Sequence, residues 1–298
     1  MNKYLIFGCG YTGRRVAARL LRTGAHVIAT TRDPATLDDL GALGCEVVQL
    51  DVLEAGSLEA VISQAARGCR VLLSIPPINT PQGLVDLVPR IVDALGDRPR
   101  CVVYLSTTGI YGNARLVDQT TPIAPVTQRQ RLRAAAEQAV TGGPWTSMIL
   151  RPAAIYGPGR GVHTSMRQGR FRLAGDGRNF VSRIQVDDLA SLATAALQCS
   201  ATGAYPVADE EPCASRDIAE FCARLLGLPL PGSVTKDEVS ETRRSDRRVD
   251  GGAIRRLLGV DLKHPSYRTG IPAALVAEAD AMPSGGPSGG EISGRGLA

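Results

Sequence analysis

Apolar residues fall into short runs of strand length, separated by stretches of helical spacing. The first run, Tyr4-Leu5-Ile6-Phe7, leads into Gly8-Cys9-Gly10-Tyr11-Thr12-Gly13, and a helical stripe of Val16, Leu20 and Leu21 follows until Gly24 stops it. Runs at 26–32, 46–51, 71–75 and 101–105 predict strands two to five. Helices are expected over 57–66 and 83–95. The second carries Leu84, Leu87, Val88, Ile91, Val92 and Leu95, and Pro89 within it predicts a kink or break. Strands alternating with helices in this way specify a parallel sheet with helices on both faces.

The alternation continues through a helix over 127–141 and a sixth strand over 147–150, and then becomes irregular. Short strands are expected at 181–186 and 205–208. Helices are expected from Asp187 to near Cys199, from Ser215 to Leu226, and over 253–258 and 271–279. The pattern predicts an α/β fold: a doubly wound domain over 1–155 and a small C-terminal substrate lobe over 156–281, with 181–200 returning to the main domain. Residues 282–298 are Gly, Ser and Pro with little apolar content and read as a disordered tail.

Composition narrows the class. The chain has 298 residues, 44% hydrophobic and 21% charged, as in ordinary soluble proteins. No apolar run approaches a membrane span and no leader precedes the first strand, so a cytoplasmic protein is expected. Seven scattered cysteines without a C-x-x-C pair read as reduced thiols, and three distant histidines offer no metal site. The net charge is +5, carried mostly by arginine, since only Lys3, Lys236 and Lys263 are lysines. The run Arg243-Arg244-Ser245-Asp246-Arg247-Arg248 reads as a solvated face or an anion-binding corner rather than a nucleic-acid surface. The expected partner is a small-molecule substrate, with no nucleic acid or membrane, and the chain acts as a monomer or homodimer.

The candidate chemistry starts at the G-x-G-x-x-G spacing. Gly8 permits the tight turn, Gly10 lets a pyrophosphate approach the backbone, and Gly13 lets the helix pack on the strand. Tyr11 and Thr12 complete the turn, and free N–H groups at the helix start meet the phosphate charge. No acid stands at the tip of strand two, where Thr30, Thr31 and Arg32 lie. An arginine there pairs with a 2′-phosphate, which favours NADP over NAD. The alternative is that Arg32 is a solvated turn residue and Asp33 caps the next helix. Asp51-Val52 should face the adenine, where Asp51 either accepts from the base's amino group or caps a helix. Ile75, before Pro76-Pro77, ends strand four where the cofactor should lie.

Four stretches then carry a resemblance. They are Gly8–Gly13, Leu105-Ser106-Thr107-Thr108-Gly109-Ile110-Tyr111-Gly112, Leu150-Arg151-Pro152-Ala153-Ala154-Ile155-Tyr156-Gly157-Pro158-Gly159 and Arg183-Ile184-Gln185-Val186-Asp187-Asp188-Leu189-Ala190. The chain resembles the short-chain dehydrogenase/reductase superfamily, in its extended branch of nucleotide-sugar epimerases and dehydratases. The resemblance implies a Rossmann-type fold. It places Thr107 beside the substrate carbonyl or alcohol, Pro152 and its neighbours up to Ile155 at the nicotinamide, and Arg183 and Asp187 at the border of the substrate lobe.

The superfamily's usual catalytic pair, a tyrosine followed four residues later by lysine, has no counterpart. None of the tyrosines at 4, 11, 104, 111, 156, 205 and 267 has a lysine four residues on. With Glu137 as the family's acidic landmark, the tyrosine position falls on Arg129 and the lysine position on Arg133. Arginine keeps a ribose-binding cation but stays protonated and cannot act as the acid. The chain therefore resembles an atypical member. It is expected to be an oxidoreductase or epimerase-like enzyme with a changed proton donor, for which Tyr111 and Tyr156 are candidates. Arg129 and Arg133 would serve as electrostatic clamps. The alternative is an NADP-binding sensor without turnover. An open pocket lined by Thr107, Arg129 and Arg183 would favour the enzyme, and a filled one the sensor.

Overall fold

In a computed structural model describing residues 2–54, 56–65 and 67–281, strand β1 (Lys3–Phe7) lies at the centre of a sheet, buried from Tyr4 onward. Helix α1 (Gly13–Arg22) follows, then β2 (His26–Thr31), β3 (Glu46–Gln49), α2 (Ser57–Ala65) and β4 (Arg70–Leu73). Next come α3 (Val88–Leu95), β5 (Cys101–Leu105), α4 (Gln128–Thr141), β6 (Thr146–Pro152), α5 (Val186–Gln198) and β7 (Gly203–Val207). The seven strands form one sheet in the order β7-β6-β5-β4-β1-β2-β3, and every neighbouring pair is parallel. The order reverses beside β1, the switch point where open α/β sheets bind ligands at their strand ends.

Because both faces are covered, the strands are apolar on both sides. Tyr4 and Ile6 point to one face and pack with Val16 and Leu20 of α1 and Leu189, Ala193 and Leu197 of α5. Leu5 and Phe7 point to the other and pack with Leu58 and Ile62 of α2, Ile91 and Leu95 of α3 and Val140 of α4. Each such fully buried side chain stabilises the fold by roughly 2 kcal/mol. The start of α4 is fixed by a capping box, in which Thr127 accepts from the Gln130 N–H and the Gln130 side chain accepts from the Thr127 N–H.

Two expectations change. The stretch from Gly83 is not one kinked helix. Gly83–Val85 pairs with Ile78–Thr80 in a hairpin, and α3 begins only at Val88. Pro89 sits in its first turn, where its missing N–H has no partner to lose, so it starts the helix without bending it. The return to the main body is also wider than 181–200. Tyr205-Pro206-Val207 belongs to the edge strand β7, and Ile254 of α7 (Gly252–Leu258) is buried in the same cluster as α5. The pattern hid this because β7 is a short edge strand containing a proline.

The smaller lobe is built on α6 (Ser215–Leu226), α8 (Tyr267–Asp280) and the short helix Val162–Arg167. Phe171, Ile218, Tyr267 and Ile271 form its core, with Phe221 edge-on to Tyr267 at 5.3 Å. None of the seven cysteines is in a disulfide, and burial pushes the Cys9 thiol up to about 12. No helix among the described residues is long and apolar enough to cross a membrane. The tail expected over 282–298 lies outside the described residues.

Candidate functional site

The glycine turn joins β1 to α1, and each glycine has its own reason. Gly8 has φ +80°, and a Cβ there would lie 2.7 Å from the Ser74 carbonyl oxygen and 2.8 Å from the Ile75 side chain. A Cβ on Gly13 would lie 2.7 Å from the Gly8 carbonyl oxygen, so α1 packs against the turn at a distance only glycine allows. Around Gly10 a Cβ would meet nothing within 4 Å. No protein contact requires that glycine, and the open space above it fits a phosphate resting on the backbone. The Gly10 N–H donates to Gly8 and the Gly10 carbonyl accepts from Arg14. The N–H groups of Tyr11, Thr12 and Gly13 meet no acceptor among the described residues, as expected of a helix start that receives an anion. Thr12 is buried, and its side chain makes no capping bond.

Tyr11 turns away from the backbone cradle. Its hydroxyl donates to the Pro158 carbonyl at 3.0 Å, and its ring lies between Arg15 (4.5 Å) and Arg160 (5.4 Å). Burial pushes its phenol up to about 12. Arg15 pairs with Asp187 at 3.2 Å, tying the turn to the start of α5.

Arg32 follows the tip of β2. It is exposed, and its guanidinium has no partner among the described residues. Asp33 does cap the next turn, accepting from the Ala35 N–H at 3.2 Å. Asp51 follows β3, where one carboxylate oxygen accepts from the Leu53 N–H at 2.9 Å, and Val52 beside it is buried. Ile75 packs against the glycine turn, and its carbonyl accepts from Arg133 at 3.0 Å.

Beyond the strand ends a cleft of about 730 Å³ opens between the sheet and the lobe. Ser106, Thr107 and Pro152 line it from β5 and β6, Pro76 and Pro77 from the end of β4, and Arg129 and Arg133 from α4. Thr107 Oγ1 accepts from the Gly109 N–H at 3.1 Å and caps the turn Thr108–Tyr111. A hydroxyl that accepts this bond keeps its own hydrogen for a ligand oxygen. The neighbouring Ser106 hydroxyl is buried without a partner. Pro152 accepts from Thr108 Oγ1 at 3.4 Å, which holds β6 to the same turn.

The two arginines of α4 differ. Arg129 is exposed and has no partner among the described residues. Arg133 is buried, donates to the Ile75 and Leu105 carbonyls, pairs with Asp86 at 3.3 Å and lies 4.6 Å over the Tyr104 ring. It bridges the ends of β4 and β5 with its charge answered by Asp86. One turn along, Glu137 pairs with Arg151 at 2.7 Å, and Arg151 donates to the Tyr111 hydroxyl at 3.0 Å.

Neither tyrosine considered as a replacement acid lines the cleft. Tyr111 is held by Arg151, and Tyr156 donates to the Ser266 carbonyl at 3.2 Å. Burial raises both phenols above their ordinary range. Arg183, at the strand–helix junction beside the lobe, does not line this cleft with Thr107 and Arg129. It lines a neighbouring cavity of about 310 Å³, joined to the cleft at Ala154, Ile155, Arg160 and Val181. The basic run at 243–248 folds into the site rather than over a free surface, and Arg247 donates to the Thr108, Gly112 and Ala114 carbonyls.

Sequence reasoning missed Ser106, Arg160 and Asp86. Arg160 had a signal, since the glycines at 157, 159 and 161 mark an unusual loop. Asp86 had none, because it lies 47 positions from its partner.

A glycine turn with open N–H groups, at the switch point of a parallel sheet and beside a cleft, defines a dinucleotide-binding protein. A family model described as NAD(P)H-binding matches residues 8–200, and the chain belongs to that family; the resemblance to the short-chain dehydrogenase/reductase superfamily holds. A conserved protein of unknown function from Silicibacter pomeroyi is 33% identical, with 93% of this chain and 99% of that one covered and a TM-score of 0.77. UDP-glucuronic acid 4-epimerase from Bacillus cereus, solved with UDP-glucuronic acid and NAD, shares the fold at 17% identity, with 93% and 99% covered and a TM-score of 0.76. A 3-diazoavenalumate denitrifying reductase from a Streptomyces species is 29% identical over 155 residues, spanning 47% of this chain and 51% of its own length.

Proposed function

We propose that this chain is an NADP-dependent oxidoreductase or epimerase-like enzyme acting on a carbonyl or alcohol substrate without the usual tyrosine and lysine. The observation that carries the reading is the open cleft above Thr107. A protein that only reports cofactor occupancy has no need of a substrate-sized space there. The cofactor, when bound, supplies or accepts the hydride.

The chain's own residues do the rest. The N–H groups of Tyr11, Thr12 and Gly13 hold the pyrophosphate. Arg32 pairs with the 2′-phosphate, and its lack of any internal partner supports NADP over NAD. Asp51 keeps one oxygen for the adenine. Val52, Ile75 and Pro152 form apolar walls along the cofactor. Thr107 donates to the substrate oxygen, Arg129 attracts an anionic substrate, and Arg133 holds the strand ends beside the nicotinamide. The reductase name of the Streptomyces relative supports reductive chemistry, and seven cysteines outside any disulfide support a reducing, cytoplasmic setting.

The test is loss of nicotinamide absorbance from NADPH across a panel of carbonyl compounds, with Thr107→Val as the comparison. The expected result is turnover that falls at least about 100-fold in Thr107→Val with NADPH affinity unchanged. Tight NADPH binding with no turnover on any carbonyl or sugar-nucleotide substrate would instead identify a sensor.

A further inference from the structure

The cavity beside the main cleft is charged in one sense only. Arg160, Arg172, Arg183 and Arg243 line it, and no carboxylate or carboxamide side chain does so among the described residues. Neutral groups hold the guanidinium groups in place. Arg172 donates to the Gly169 and Phe171 carbonyls, both at 2.8 Å. Arg243 lies 5.1 Å over the Phe171 ring and donates to the Arg170 carbonyl at 3.4 Å. Arg183, only 6% exposed, donates to the Val181 carbonyl at 2.6 Å and to the Cys213 sulfur at 3.1 Å. Asp209 acts on Arg183 from inside the lobe without lining the cavity, and burial pushes its carboxyl up to about 8.

Apolar side chains of Ile155, Phe171, Val181, Ile218 and Ile271 also line it. Hydrogen-bonding side chains other than arginine are hydroxyls, those of Ser165, Ser215, Ser240 and Tyr156. A nucleoside brings several ribose hydroxyls and base N–H groups, for which the cavity side chains offer four hydroxyls as acceptors and no carboxylate or carboxamide oxygen. A carboxylate on an apolar body asks only for guanidinium donors at one end and apolar contact along the rest. The volume of about 310 Å³ suits a group of that size.

We propose that this cavity binds the carboxylate-bearing, apolar end of the substrate, an aryl or alkyl carboxylate without a nucleotide, whose reacting carbon lies across the neck at Thr107. The position of the reacting carbon rests on the oxidoreductase reading. Binding of the carboxylate in the cavity does not.

The test is calorimetric titration of the full chain, with and without NADPH, using trans-cinnamate, its neutral counterpart cinnamamide, and UDP. Cinnamate is expected to bind, with the amide at least tenfold weaker and UDP unable to displace it. Arg172→Gln and Arg243→Gln, each checked by circular dichroism, are expected to weaken cinnamate at least fivefold. Absence of cinnamate binding, equal binding of the amide, displacement by UDP, or unchanged affinity in both folded variants would overturn the proposal. If NADPH fails to bind while cinnamate still binds through the arginines, the oxidoreductase reading falls and the cavity assignment stands.

Discussion

The two ends of the cofactor track are built on different principles. At the nucleotide end, backbone does the work: Gly8 and Gly13 are required by close approach, and Gly10 leaves open space beside unpartnered N–H groups. At the cleft end, side chains do the work: Arg129 and Arg133 of α4 line the cleft beside Thr107. A backbone site tolerates few residue types, so it persists with its motif. A side-chain site on a regular helix can be rewritten without disturbing the helix, because α4 accommodates arginine as readily as lysine.

Substitutions in the glycine turn break the comparison hardest. Gly8→Val places a side chain at φ +80° and against Ser74. Thermal unfolding should report a loss of about 3 kcal/mol or more, together with loss of NADPH binding. Gly10→Ala places a Cβ with no protein atom within 4 Å, so the melting temperature should hold while NADPH affinity falls about 100-fold. If both variants behave alike, the distinction between structural and ligand-facing glycines fails.

Arg133→Met comes next, at the other end of the track. It strands Asp86, whose side chain is 1% exposed, and denaturant unfolding should show a loss of about 3–5 kcal/mol. The double variant with Asp86→Leu should recover much of it. Arg32→Ala is smaller and selective. NADPH affinity should drop about 10- to 100-fold and NADH affinity hardly change, as measured by fluorescence titration.

The last effect lies away from both ends and is read through pH. Burial raises Asp209 from 3.8 to about 8, with Arg183, Glu211 and Asp188 acting on it and with Tyr156 and Cys213 nearby. The folded state then holds this proton where the unfolded state has released it. Stability falls as pH rises between those values, by up to about 1.4 kcal/mol per pH unit. Asp209→Asn should remove that slope and raise the melting temperature near pH 8. An unchanged pH profile would show that Asp209 ionises freely.

The parallel sheet was legible because β1, β2, β4 and β5 are continuous apolar runs and the helices between them carry clear stripes. The nucleotide turn was legible for the same reason that it is conservative in chemistry: its glycines stand at fixed spacing. The hairpin Ile78–Thr80 with Gly83–Val85 was not, since Leu84, Leu87 and Val88 fit a helical stripe as well as a strand followed by a turn. The cleft was only half legible. Thr107 could be placed by resemblance, but the Asp86–Arg133 pair and the arginine-lined cavity depend on residues brought together from distant stretches. No local pattern announces such contacts.

The most direct measurement is titration of the purified chain with NADPH and with NADH, followed by nicotinamide fluorescence. Saturable binding of NADPH, at least tenfold tighter than NADH and abolished by Gly8→Val, is the predicted result. Failure of both dinucleotides to bind at millimolar concentration would contradict it.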